Sequence, residues 1–214
     1  MRPLPKALLL TAAVTAAAAV YSGVVRPRIL AWGATADEAA AAMPGQDVVA
    51  DPRVSSTRAI TIAAPPERVW PWLNQIGQDR GGLYSTTALQ NLAGLQFSNA
   101  DAVHEEWQLK VGDLVRFVPA ERGDFGMTVL RSQPPNLLVL GPGQQGPSAG
   151  PPPPTPVWIF SLRDVDGATR LVVRFRMDYR PSPLAHLANK WLLEPIHFLM
   201  ERSMLRGLAA RAQG

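Results

Sequence analysis

The sequence predicts an α+β protein, in which an antiparallel sheet packs against a long C-terminal helix, with an N-terminal transmembrane helix in front. Three observations carry this expectation. Residues 7–25 form an uncharged apolar run between cations. Five strand-like segments follow one another between Asp113 and Tyr179 with short connections, which favours antiparallel pairing. An apolar helical stripe then closes the chain, and such a stripe must be buried against another layer.

Composition narrows the function classes. The chain has 214 residues, 47% of them hydrophobic and 18% charged, which suits one ordinary domain with an appendage. It has no cysteine, which excludes disulfides, a thiolate nucleophile and thiolate metal sites. The formal charge is +4. Arg2, Lys6, Arg26 and Arg28 are unopposed by any acid in the first 28 residues, and the remaining cations only match the 17 acids. The excess therefore flanks the apolar run, and the body lacks the footprint of a nucleic-acid binder.

Ala7 to Val25 is about as long as a membrane span. Tyr21 and the flanking cations suit the interface. The expectation is an uncleaved single-pass anchor over residues 1–28, on a side of the membrane that the balanced flanks leave open. A cleaved signal peptide is the rival, because Ala17-Ala18-Ala19 fits a small-residue cleavage site. Residues 29–56 read as a connector with one short helix, which starts at the capping box Thr35-Ala36-Asp37-Glu38 and stops at Pro44-Gly45.

The domain proper is expected over residues 57–214. Ile60 and Ile62 alternate with Thr61 as a half-buried strand. Pro66 then opens a helix with Val69, Trp72, Leu73 and Ile76 on one stripe and a kink at Pro71. Gly77 to Ser85 reads as a glycine-bearing loop, Ser85 to Leu92 as a second short helix, and Asn99 to Gln108 as a third. The strands follow at Asp113–Pro119, Phe125–Arg131, Leu137–Leu140, Val157–Arg163 and Thr169–Tyr179. Asp166-Gly167 signals a hairpin turn, and Gly141 to Pro156 a long Pro/Gly-rich loop. In the last strand Leu171, Val173, Phe175, Met177 and Tyr179 share one face. Arg174, Arg176 and Asp178 share the other, which reads as solvated. Ser182-Pro183 opens the final helix, and Pro195 interrupts it. Beyond it, Ser203 and Gly207 lie on the stripe with Leu199, and side chains so small leave room for a guest.

This order, with APPERVWPWL at the first strand–helix junction, resembles the SRPBCC (START-like, polyketide cyclase/lipid-transport-like) superfamily. AWGAT (Ala31 to Thr35), GQDRGGLYS, LKVGDLV (Leu109 to Val115) and EPIHFLMERSMLRGL (Glu194 to Leu208) look like an uncharacterised, membrane-anchored subgroup. The resemblance covers roughly residues 29–210. It implies the helix-grip fold, a curved sheet around the C-terminal helix, and an apolar cavity for lipids, sterols or polyketides. Trp72, Met127, Trp158, Phe175, Met177, Leu199 and Met200 are then expected around the cavity, with Tyr84 as a polar handle and Ser203 and Gly207 leaving space.

No catalytic, metal or cofactor set stands out. The glycine loop lacks the residues of a phosphate cradle. Glu194, His197 and Glu201 share a helical face, but a di-iron bundle needs two such helices and further glutamates, so the face reads as solvated and ionic. The expected function is a membrane-anchored binder or carrier of a hydrophobic small molecule. The alternative is a cyclase- or aromatase-like enzyme in the same cavity, for which Tyr84 and His104 are the candidate residues.

Overall fold

The computed structural model describes residues 6–85, 98–143 and 155–214, with side chains from residue 10 onward. The second short helix expected after Ser85 and most of the Pro/Gly-rich loop lie outside the described residues.

The described residues begin with α1 (Lys6–Val20), a π-helical turn (Tyr21–Val25) and α2 (Arg26–Leu30). Among the described residues no helix is long and apolar enough to cross a membrane, and α1 spans 15 residues where about 20 are needed. The single spanning helix of the expected fold class is thus not found. A π turn also separates α5 (Pro183–Ala188) from α6 (Glu194–Gln213). In both places a proline follows within two residues, Pro27 and Pro195. Proline lacks the N–H that would continue the ladder, and a wide turn just before it absorbs the mismatch.

Between these ends, α3 (Ala36–Ala40) starts at the expected capping box: Thr35 Oγ1 accepts from the Glu38 N–H, and Glu38 Oε2 accepts from the Thr35 N–H. Strand β1 (Val54–Ile62) leads through Pro65 into α4 (Pro66–Leu73), which carries Pro71 inside it. Residues 99–108 hold only a single 3-10 turn, Glu105–Trp107, and not the third helix expected. Strands β2 (Leu114–Arg116), β3 (Gly126–Gln133), β4 (Leu137–Pro142), β5 (Thr155–Val165) and β6 (Ala168–Asp178) follow. They form a six-stranded, wholly antiparallel sheet in the order β1-β6-β5-β4-β3-β2. The β5–β6 turn has Asp166 and Gly167 both at positive φ, the geometry of a type I′ hairpin.

The sheet has two covered faces. On the inner face, Ile62, Leu138, Phe160, Leu171 and Val173 meet Val69 and Leu73 of α4 and Met204, Leu205 and Leu208 of α6. On the outer face, Val139, Val157, Ile159 and Val172 meet Met43 and Val49 from the segment after α3. Much of the face expected to be solvated is therefore covered by residues 33–50, while Asp178 at its end stays exposed. Arg174 is buried beneath them, where its guanidinium donates to the carbonyls of Glu38, Ala39 and Ala41, to Gln46 Oε1 and to Thr57 Oγ1. One arginine thus satisfies carbonyls that the short α3 leaves open at its end. The architecture, α+β with a long C-terminal helix across an antiparallel sheet, agrees with the helix-grip arrangement that the resemblance implies.

Candidate ligand-binding site

Toward one end of the sheet the inner layer parts from α6 and leaves a cavity of about 1110 Å³. The cause lies in β6: Leu171 and Val173 are fully buried in the core, whereas Phe175 and Met177, next on the same face, line open space. Trp158 stands opposite Phe175 in register on β5, and Met127 enters from β3. Leu114, Phe117 and Phe125 form a second wall around the β2–β3 connection. Phe117 meets Trp158 edge-on at 6.3 Å between centroids. From α6, His197, Met200, Glu201 and Met204 complete the enclosure. Ligand pockets in general run to about 300–1,000 Å³ and are mostly apolar with a few fixed polar groups, so this space is of the right size and kind.

The polar groups form a chain that sequence reasoning missed. Arg58 and Glu201 pair at 2.5 Å with about 1% of either side chain accessible. The Trp158 indole N–H donates to Glu201 Oε1 at 2.7 Å. Arg58 Nε donates to the carbonyl of Ile29, and its other arm reaches His197 Nδ1 at 3.3 Å. A guanidinium only donates, so Nδ1 accepts and the proton of a neutral His197 sits on Nε2. Burial pushes the imidazole below its ordinary value; Glu201 opposes this and Arg58 adds to it. His197 still keeps 29% of its side chain accessible, because it borders the cavity. Its Nε2 is 3.8 Å from Glu201 Oε1, beyond hydrogen-bond range, which leaves a neutral N–H donor at the wall.

The other expected site residues fall into two groups. Met127, Trp158, Phe175, Met177 and Met200 are brought together around the cavity. Trp72, Tyr84, Leu199, Ser203 and Gly207 do not line it. Leu199 points outward and is 50% exposed. Trp72 packs edge-on against Tyr84, which is buried. The Tyr84 hydroxyl accepts from Gln75 Nε2, and burial pushes its ionisation up to about 12. Gly207 faces no void: a Cβ there would lie 2.1 Å from the Tyr84 carbonyl oxygen. His104 stacks on Trp107 and keeps 38% of its side chain accessible, away from the cavity. The enzyme reading therefore loses both of its named residues as cavity groups.

The solvated ionic face expected for Glu194, His197 and Glu201 is corrected as well. Arg26 grips buried Glu194 with two hydrogen bonds of 2.6 and 2.8 Å, and Arg58 takes Glu201. A signal for this was present. Arg58 is two residues before Ile60 on the inward face of β1, and an arginine there requires a carboxylate from the layer that covers it.

Two shifted titrations predict a two-stage loss of stability in acid. An unfolded histidine titrates near about 6.5 and His197 lies lower in the folded state, so its contribution is complete above about pH 6.5 and is lost as pH falls from there. Glu38, held down to about 2 chiefly by the hydrogen bonds of Arg170, contributes above the ordinary carboxylate range and is lost on the way to pH 2. Melting temperature against pH should show both limbs. His197→Gln should flatten the upper and Glu38→Gln the lower; an unchanged upper limb in His197→Gln would contradict the assignment.

Fold and site together define an α+β protein with a partly open, largely apolar cavity and one buried polar cluster on its wall. No protein-family model matches the chain, and no curated protein does. Among solved structures 42 chains match. The chain is 17% identical to protein MLL2253 from Mesorhizobium loti, over 75% of this chain and 97% of that one, with a TM-score of 0.42. It is 15% identical to CalU16 from Micromonospora echinospora, over 74% and 83% of the two chains, with a TM-score of 0.34. To DynU16, of the dynemicin biosynthetic locus, it is 18% identical over 73% of this chain and 48% of that one, with a TM-score of 0.42. Likenesses at these values decide nothing about ligand or chemistry.

Proposed function

We propose that the protein binds or carries a hydrophobic small molecule of lipid-like character in this cavity, without transforming it, while attached to a membrane. The observation that carries the reading is the cavity of about 1110 Å³ whose walls are rich in methionine and aromatic side chains. Methionine adapts to irregular guests. The guest is an uncharged one with an oxygen acceptor, because the wall carboxylates Glu201 and Asp124 are each paired with an arginine and His197 offers a neutral donor. The membrane part rests on the uncharged run of residues 7–25 and on the exposure of Leu10, Val14 and Val20. A purified chain beginning near Val20 would overturn an uncleaved anchor.

Mass spectrometry of the organic extract of the purified protein tests the main claim. An apolar molecule in near-stoichiometric amount, recovered unchanged after incubation, is expected. Met200→Trp should fill part of the cavity, lowering uptake of a fluorescent fatty alcohol several-fold with little change in melting temperature. Unaltered uptake would place the guest elsewhere. The cyclase-like alternative keeps one observation, the neutral imidazole of His197 at the cavity wall, which suits proton transfer. Conversion of the extracted guest by the wild type, lost in His197→Gln with binding retained, would favour it.

A further inference from the structure

From Leu184 to Leu199 the chain presents a second uncovered apolar face. Leu184, Leu187, Leu192, Leu193, Ile196 and Leu199 are between 44% and 75% exposed. A single exposed leucine needs no explanation, but so dense a run does. On the other side of the stretch Asn189 and Glu194 are buried and His197 lines the cavity, while α5 itself buries no residue.

The face continues into the N-terminal helix. Trp191, 41% exposed, stacks on Tyr21 at 4.4 Å between centroids. The Tyr21 hydroxyl donates to the Lys190 carbonyl at 2.6 Å, and one turn on, Arg26 grips Glu194. Tyr21 belongs to the same uncharged run that exposes Leu10, Val14 and Val20. Charge points the same way. Between Tyr179 and Leu193 the fixed charges are Arg180 and Lys190, with no acid, and Glu194 is neutralised by Arg26.

We infer that this face is a bilayer-docking surface. Helix α5, the π turn after it and the first turns of α6 lie in the headgroup–acyl boundary of an anionic membrane, beside the N-terminal helix. Apolar residues on one side, cations at the margin and an aromatic pair at the junction are what such a position requires. The cavity then sits directly behind the docked helix, because His197 and Met200 line it from the other side of the same turns. The inference rests on the membrane reading above, and it adds a second attachment that the N-terminal helix alone does not supply.

The test uses the full chain reconstituted with vesicles of phosphatidylcholine and phosphatidylserine in a 7:3 ratio. Trp191 is read as the fluorescence difference between wild type and Trp191→Phe. Quenching by lipids brominated near the headgroup, with protection from aqueous iodide, is expected. It should be lost in Leu192→Glu/Leu193→Glu, whose exposed positions leave melting temperature and uptake of the fluorescent fatty alcohol unchanged. Trp191 open to iodide while the protein stays on the vesicles would overturn the docking face and leave the membrane reading standing. Failure of the wild type to associate with vesicles would overturn both. Trp191 shielded from iodide and bromolipid alike would mean that a second copy covers the face, which also overturns the inference.

Discussion

Replacing Arg58 with methionine is expected to destabilise the protein by about 3–5 kcal/mol, read as a fall in the urea midpoint. Arg58 and Glu201 are both about 1% accessible, so removing the cation strands a buried carboxylate. The same substitution removes the donor to the Ile29 carbonyl and frees His197 Nδ1. Domains are stable by only about 5–15 kcal/mol, so the change takes a large share of the total. Adding Glu201→Leu should return much of the loss, because an apolar pair of similar volume needs no desolvation of charge. The return will be incomplete, since Trp158 Nε1 then has no acceptor. A cost below about 1 kcal/mol for Arg58→Met would mean that the pair does not hold the helix to the sheet.

The second large effect is at Gly207. Alanine in place of a helical glycine normally stabilises by about 1 kcal/mol. Here the opposite sign is expected, because the new Cβ would stand 2.1 Å from the carbonyl oxygen of Tyr84 and 3.0 Å from its carbon. That neighbour is backbone, and Tyr84 is already at a φ of 50°, so it has little freedom to retreat. Overpacking of this kind costs about 1–3 kcal/mol, and Gly207→Leu should cost more than Gly207→Ala. Uptake of the fluorescent alcohol per folded molecule should not change in either. A rise in melting temperature for Gly207→Ala would show that the helix and the Tyr84 loop can separate.

Gly207 also shows where sequence reading stops. A small residue on an apolar stripe marks either a void or a close approach, and only the position of the neighbouring backbone decides between them. Met200 and Leu199 pose a related difficulty. Both sides of α6 carry apolar residues near its start, one toward the cavity and one outward, and the π turn before Pro195 shifts the phase of the helical repeat. Periodicity therefore named the helix but not its buried side. The strands were more legible. Alternation in β6 assigned Phe175 and Met177 to the inner face, and Asp166-Gly167 marked the turn before it. What alternation cannot report is the use made of a polar face. Arg174 reads the same whether water or a set of carbonyls and one hydroxyl receives its N–H groups. Glu201 was misread for the same reason, because its partner Arg58 lies 143 positions away in the chain.

The outer cover has a consequence for reach. A free chain as long as residues 31–53 would let a tethered domain wander about 25 Å from its point of attachment. No such leash exists here. The Trp32 carbonyl accepts from the Ala59 N–H, Arg170 holds the Gly33 carbonyl, Arg174 holds those of residues 38, 39 and 41, and Arg176 holds that of Ala50. The segment between the N-terminal helices and β1 is thus fastened to the sheet along its length. In the proposed membrane-bound state the protein is unable to swing between two surfaces like a ferry. In that state it would be a fixed berth, taking up and releasing a guest where it stands.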